Sequence, residues 1–299
     1  MGSGLTRKEL RRKAIPYILI APVLIYYTLF WLYPVIQCVV GSLVDVNQRL
    51  TLYNYAYIFR DPTFYRSVFN TFFIVLFSVT LEFVVAFALA LLINIKFKGS
   101  GTFLFIAIIP MALPAVAVGA IWSSGFATYG WMNSFLYYLG IIEEAGKIPF
   151  LAGGSWKAMI LIIIIDAWQV IPFMMIILLA GMQNLDEAYR EAGYIFGADR
   201  FTVLRKITIP LLKPTITTAV ILRIIAAIQI WLIIVMLYGF QRLPVLLEEV
   251  VYYIDESHSE EFFRVGMAYT VLVSMLVSGV SILYLKVSGA FERTREQPA

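Results

Sequence analysis

Long apolar runs, each about the length needed to cross a bilayer, alternate with short polar stretches along the 299-residue chain. A spanning helix takes about 20 mainly apolar residues to cross roughly 30 Å of hydrocarbon. Six segments reach that length: near Ile15 to Val40, Ser67 to Asn94, Phe103 to Trp122, Trp156 to Met182, Pro214 to Gly239 and Arg264 to Lys286. These runs are long and continuous, whereas strands of a membrane barrel are short and alternate apolar with polar positions. The pattern therefore predicts an all-α membrane protein with six transmembrane helices.

Punctuation within and between the runs refines this picture. Pro16, Pro22 and Pro34 predict kinks in the first span, because proline removes a backbone donor and crowds the preceding turn. Ile109-Pro110 and Leu113-Pro114 predict a break in the third span, whose freed backbone needs packing or a wet cavity. A packing kink and a share in a translocation path both fit that break. The external segment 123–155 holds Tyr129-Gly130-Trp131-Met132-Asn133, then Phe135, Leu136, Tyr138 and Leu139, which predicts a short helix along the outer interface.

After the fourth span, Asp186 and Glu187 start a short helix, since acids offset the positive end of its dipole. This helix is expected to end between Gly193 and Gly197, with Gly197 supplying a tight or left-handed turn. A second helix, Asp199 to Ile207, is expected to stop at Pro210 and Pro214 before the fifth span. Two short helices joined at Gly197 make a compact knob attached to the spans.

Composition agrees with a bilayer protein: 61% of residues are hydrophobic, 14% are charged and the mean hydropathy is +0.84. With both ends in the cytoplasm, the inner side holds Arg7, Lys8, Arg11, Arg12, Lys13, Lys96, Lys98, Arg190, Arg200, Arg205, Lys206, Lys213, Lys286, Arg293 and Arg295. The outer side holds only Arg49, Arg60, Arg66, Lys147, Lys157, Arg242 and Arg264. This asymmetry predicts cytoplasmic N- and C-termini and puts the knob inside. The expected organisation is a basic segment 1–14, a membrane domain 15–286 with loop 183–213, and a tail 287–299.

The net charge of +4 thus reads as topology, and no nucleic-acid partner is expected. Glu248, Glu249, Asp255, Glu256, Glu260 and Glu261 fall in the last external loop, where they read as solvated or as facing a partner. The first apolar run is too long for a cleaved signal and reads as an uncleaved span.

Cys38 is the one cysteine and His258 the one histidine, which argues against a disulfide within the chain and against a paired-histidine zinc site. No Gly-x-x-x-x-Gly-Lys-[Ser/Thr] segment occurs, so the chain lacks a phosphate-cradling ATPase loop. No catalytic residue, metal or cofactor is expected in this chain.

Glu82, Asp166 and Arg223 lie inside spans, where a charge costs about 2.5–3.5 kcal/mol and should face protein or a wet cavity. Arg223 reads either as a bidentate donor to a hydroxyl or anionic group of a substrate, or as paired with Asp166 or a carbonyl, within the chain or between subunits. Asp166, Gln229, Trp231 and Tyr238 are further pathway candidates, because aromatic faces stack on flat rings and polar side chains pair with hydroxyls. Packing is their alternative role.

The knob carries a resemblance. Glu191-Ala192-Gly193, three residues, Gly197, nine residues and Ile207-Thr208-Ile209-Pro210 resemble the pattern Glu-Ala-Ala, Gly, Ile-x-Leu-Pro of binding-protein-dependent ABC importer permeases. Gly193 replaces the second Ala, and Phe196 stands where family members usually carry Asp. The aromatic stretch before Asn70-Thr71 and the passage Leu179-Ala180-Gly181-Met182-Gln183 resemble maltose-type sugar permeases. Two departures fall near the outer end of the fifth span: Trp231-Leu232 takes the place of an aromatic-Asp pair, and Phe240-Gln241-Arg242-Leu243-Pro244 replaces a Gly-rich segment.

The resemblance implies a type I importer permease forming half of a pore, with the knob docked on an ABC ATPase through Glu191, Ala192, Gly193, Gly197, Ile207 and Pro210. It further implies ATP and Mg bound on the ATPase subunits, a second permease giving a heterodimer, an extracytoplasmic solute-binding protein, and a sugar as substrate. A permease for a polyamine or glycerol phosphate shares the same loop. An ion-coupled carrier using Glu82 and Asp166 is the competing class.

Overall fold

In the computed structural model, residues 7–255 and 259–288 are described, and those residues are helical apart from turns and one isolated bridge between Val44 and Leu50. The helices, in chain order, are α1 (Arg7–Tyr27), α2 (Tyr33–Ser42), α3 (Tyr53–Arg60), α4 (Pro62–Asn94), α5 (Ser100–Ile108), α6 (Ala115–Phe126) and α7 (Trp131–Tyr138). They continue as α8 (Ser155–Gln183), α9 (Glu187–Ile195), α10 (Arg200–Val203), α11 (Ile209–Ile228), α12 (Leu232–Tyr238), α13 (Leu246–Ile254) and α14 (Glu260–Val287).

Among the described residues five helical stretches are long and apolar enough to cross a membrane, and six if the bent pair before the external segment counts as one. That pair, Ser100–Ala112 and Ala115–Phe126, meets at 95°, so the third span is two limbs instead of the single run near Phe103 to Trp122. The turn falls at the expected prolines. Leu113, extended ahead of Pro114, cannot continue the helix. Its carbonyl accepts a hydrogen bond from the Gln169 side chain of α8 at 2.8 Å, which satisfies the backbone that the break frees.

The chain divides into two compact units. One comprises residues 1–60 and 250–272. Within it nearly all side chains from Ile15 to Val40 are exposed, as befits a helix surrounded by lipid or by another subunit. The helix runs through Pro16 and Pro22. It then makes a π turn over Thr28–Leu32, where the Tyr33 N–H bonds back to the Thr28 carbonyl, just before Pro34. Buried Asn54 ties down the following loop by donating to the Ser42 and Val44 carbonyls at 2.9 and 3.2 Å. Tyr57, Tyr253, Phe262 and Tyr269 form an aromatic cluster with ring centroids 5.2 to 6.3 Å apart.

The other unit comprises residues 61–249 and 273–299. Its core is the pairing of α4 with α8, extended by α11. Ala86 and Ala90 of α4 admit Met174, Met175 and Leu178 of α8 and Leu212 of α11 to one buried cluster. A second cluster joins Ile74, Met159 and Ile162 to Ile233 and Ile234 of α12. The short helix α7 falls inside the segment expected for it, held by buried Asn133, which bonds to the backbone of Thr128 and Ile148.

Two expectations are corrected here. The fifth span does not start at Pro214: helical backbone runs from Arg200 to Ile228, then breaks at Gln229–Trp231 before α12. Pro210 does not stop the second short helix, because a π turn over Leu204–Thr208 precedes it and lets Ile209 N–H reach the Leu204 carbonyl. The proline then sits in the first turn of α11, where its missing N–H costs little.

Candidate functional site

The knob is built from local capping. Asp186 starts α9 by accepting from the Ala188 N–H at 3.0 Å, and Asp199 starts α10 by accepting from the Thr202 N–H at 3.2 Å. Hydrogen bonding from Thr202 holds the Asp199 carboxyl below the usual carboxylate range. Between them the Ala198 N–H bonds to the Gly193 carbonyl and the Gly197 N–H to the Tyr194 carbonyl, both at 3.0 Å. This is the Schellman closure of α9. Gly197, at φ +80°, occupies its left-handed position.

The two short helices lock where Gly193 is buried. A Cβ on Gly193 would meet Ile207 Cδ1 at 2.7 Å and Val203 Cγ2 at 3.1 Å. Side chains of α10 and the π turn thus take the space that an alanine would fill. Glu191, Ala192, Gly197 and Pro210 are exposed, Ile207 is half-buried and Gly193 is buried. Beside them Ile195 is 82% and Phe196 90% exposed, two large apolar side chains at the tip of the knob.

Above the knob the core of the bundle holds a buried ion triad. Arg223 of α11 donates through Nε to Glu82 Oε2 at 2.5 Å and through Nη2 to Glu82 Oε1 at 2.9 Å, a bidentate fork on α4. The same Nη2 also donates to Asp166 of α8. All three side chains are at most 5% exposed. Arg223 and Asp166, expected as pathway candidates, are therefore engaged with each other and with Glu82. Glu82 is the partner that sequence reasoning left unassigned. The signal available was a lone span arginine against two span carboxylates.

The remaining pathway candidates sit around the interruption of the fifth span. Gln229 is exposed at the break, whereas Trp231 and Tyr238 are half-buried beside the cluster containing Ile233. The Tyr238 hydroxyl has no hydrogen-bond partner among the described residues.

Toward the other end of α4 from the knob, Asn70 donates to the Pro244 carbonyl at 2.8 Å and the Thr71 hydroxyl accepts from the Leu246 N–H at 3.0 Å. The Asn-Thr pair thus anchors the start of α13. Glu248 and Glu249, expected in a solvated loop, are instead buried on α13. Glu248 Oε1 accepts from the Gln241 N–H at 2.6 Å, and Glu249 Oε1 from the Gln241 side chain at 3.1 Å. Burial pushes the Glu249 carboxyl up to about 7, helped by the charges of Glu248 and Asp61 and opposed by the Gln241 hydrogen bond. Glu256 and His258 lie outside the described residues.

Apolar spans, a broken third span and a capped knob after the fourth span define a multi-pass helical membrane protein. Residues 82–290 match the model of the family described as binding-protein-dependent transport system inner membrane component. The chain belongs to that family, whose members are transport subunits and not themselves enzymes, and it is a multi-pass protein of the cytoplasmic membrane.

It is 32% identical over 305 residues to the trehalose/maltose transport system permease protein MalF of Thermococcus litoralis, covering 98% of this chain and 100% of that one. It is 31% identical to the lactose transport system permease protein LacF of Rhizobium radiobacter, covering 72% and 73% of the two chains. In fold it is similar to a chain of a bacterial alginate ABC transporter solved in complex with alginate pentasaccharide-bound periplasmic protein. The TM-score is 0.83 at 19% identity, with 98% and 99% of the two chains covered.

Proposed function

We propose that this chain forms half of the translocation pathway of an ATP-driven importer for a sugar or oligosaccharide. Its partners are a second, different permease, two ABC ATPase subunits that bind ATP and Mg, and an extracytoplasmic solute-binding protein. The observation that carries the reading is the knob: a Schellman-closed pair of helices that exposes Glu191 and Ala192 together with Ile195 and Phe196. Large exposed apolar side chains beside a charge mark a surface meant for a protein partner. Relatives named for trehalose, maltose and lactose transport support a sugar as cargo.

In this reading residues 183–213 face the cytoplasm, as do the segments 1–14 and 287–299. ATP binding closes the ATPase pair, displaces the knob and shifts the spans from inward- to outward-facing, because ATP binds the two states unequally. The knob joins α11 without a helix end between Arg200 and Ile228, so its displacement is passed directly to the span that carries Arg223. Gln229, Trp231 and Tyr238 line the sugar path, while Arg223, Glu82 and Asp166 hold α4, α8 and α11 together. An ion-coupled carrier would need Glu82 and Asp166 free, and both are bound to Arg223.

The test is copurification of the chain with its ATPase and second permease, followed by ATPase activity in liposomes with binding protein and a panel of sugars, polyamines and glycerol phosphate. Stimulation by one sugar-loaded binding protein is expected. Stimulation by a different solute replaces the cargo, and solute movement on an ion gradient without ATP overturns the importer reading.

A further inference from the structure

A cavity of about 1010 Å³ opens where α4 and α8 both end, at the root of the knob. Its wall carries three cations from three parts of the chain: Lys96 just beyond α4, Arg190 on α9 and Arg200 at the start of α10. Glu187 is the one carboxylate among its lining residues. Among the described residues none of the three cations belongs to an ion pair. Like charges converging on one concave space repel each other, so the arrangement is most stable when an anion occupies it.

Glu187, Arg190 and Tyr194 line the cavity at helical spacing, while Glu191, Ala192 and Ile195 are exposed and stand outside its lining. An anion in the cavity and a protein on the knob can therefore bind together. The space also has an apolar side, formed by Leu91 and Leu185 near the ends of the two spans.

We propose that this cavity binds the phosphate of an anionic phospholipid headgroup such as phosphatidylglycerol. Guanidinium groups match the geometry of phosphate oxygens, and a third cation from another element adds its charge to the same site. Basic pockets between span ends on the cytoplasmic side are suited to anionic headgroups. A soluble phosphate would satisfy the cations equally, but it has no use for the apolar side at the level where two spans end. A bound headgroup bridges Lys96 to Arg190 and Arg200, bracing the knob against α4. The bracing role rests on the coupling reading above, whereas lipid binding does not.

The experiment uses the assembled transporter in nanodiscs of phosphatidylcholine with and without phosphatidylglycerol, with retained lipids counted by native mass spectrometry. Both faces are accessible there, so the result does not depend on orientation. Wild type is expected to retain phosphatidylglycerol over phosphatidylcholine by about tenfold. The variant Lys96→Gln/Arg190→Gln/Arg200→Gln is expected to lose that preference, while Arg205→Gln/Lys206→Gln, exposed on the same loop and outside the cavity, keeps it.

Should the triple variant fail to assemble, Lys96→Gln alone, which lies outside the loop, is expected to weaken retention severalfold. Equal retention by wild type and the cavity variants overturns the proposal. Displacement of the lipid by millimolar inorganic phosphate, with no dependence on the acyl chains, assigns the site to a soluble anion instead. Stimulation by binding protein, measured in the same discs, reports on the importer reading separately.

Discussion

Ile207 Cδ1 lies 2.7 Å from the point where a Cβ on Gly193 would sit. The glycine that departs from the Glu-Ala-Ala pattern is thus matched by the tip of a side chain fourteen residues further on. The contact lies inside the knob and closes α9 onto the segment leading into α11.

That contact sets the first prediction. Gly193→Ala gains about 1 kcal/mol of helix propensity but must displace the flexible end of Ile207. The single variant is expected to melt close to wild type. Gly193→Ala/Ile207→Val, which removes the offending methyl, should melt higher than the single variant, as read by the thermal midpoint of the purified complex.

Gly197 behaves differently, because nothing lies within 4 Å of its missing Cβ and the constraint is the positive φ. An ordinary residue there costs about 1–2 kcal/mol, and Asn, which tolerates the left-handed region, costs less. Gly197→Asp is expected to insert into the membrane yet uncouple sugar import from ATP hydrolysis, with Gly197→Asn less impaired. Import by Gly197→Asp at the normal rate would show that the lever does not depend on this turn.

The ion triad predicts an asymmetry between breaking and replacing. Arg223→Met leaves Glu82 and Asp166 buried without their cation, which is expected to cost about 3–5 kcal/mol. Glu82→Gln/Asp166→Asn/Arg223→Gln retains polar partners without net charge and should lose much less. Thermal melting in detergent separates the two, and equal midpoints for wild type and Arg223→Met would remove the triad from the account of stability.

Gln169 should matter more than a polar residue in a long apolar helix suggests. Gln169→Leu removes the donor to the Leu113 carbonyl, at a cost of about 1–3 kcal/mol if that carbonyl stays dry. Hydrogen exchange around residues 113–118 should rise in the variant while exchange in the middle of α4 does not.

Glu249 gives a pH dependence of definite sign. Its carboxyl is pushed up to about 7 in the folded protein from an ordinary value of 4.5, so the folded state holds the proton over a window in which the unfolded state has lost it. Stability from this group is therefore greatest at the acid end of that window and falls as pH rises toward 7 and beyond. Burial pushes the Glu248 carboxyl up as well, which adds to the trend. Protection of 246–254 from hydrogen exchange should decline between pH 5 and pH 8 in wild type (an interval of about three units about the folded value) and decline less in Glu249→Gln.

Much of the fold is legible because a bilayer demands a continuous apolar run for each crossing. The break at Leu113-Pro114 could be read from its prolines. The break at Gln229–Trp231 could not, because no Gly or Pro marks it and tertiary packing of α12 decides where the helix ends. The extension of helix back to Arg200 was hidden by Pro210, whose breaking effect the π turn absorbs.

At the candidate site, the caps at Asp186, Gly197 and Asp199 follow from local rules and were readable. The burial of Glu248 and Glu249 was not, since it depends on Gln241 across a turn. Glu82, Asp166 and Arg223 were visible as charges in apolar runs, but their joining required the three-dimensional proximity of α4, α8 and α11.

Both π turns in the described chain stand immediately before an X-Pro pair, Tyr33-Pro34 and Ile209-Pro210. Each inserts the equivalent of one residue, which rotates everything beyond it by about 100° relative to an uninterrupted helix. At the second turn this acts as a phase adjuster. The direction in which the knob faces its neighbour is set separately from the direction in which α11 turns Arg223 into the bundle. Deleting a single residue between Leu204 and Thr208 would realign the two and point one of them the wrong way, even though every side chain on either side remained unchanged.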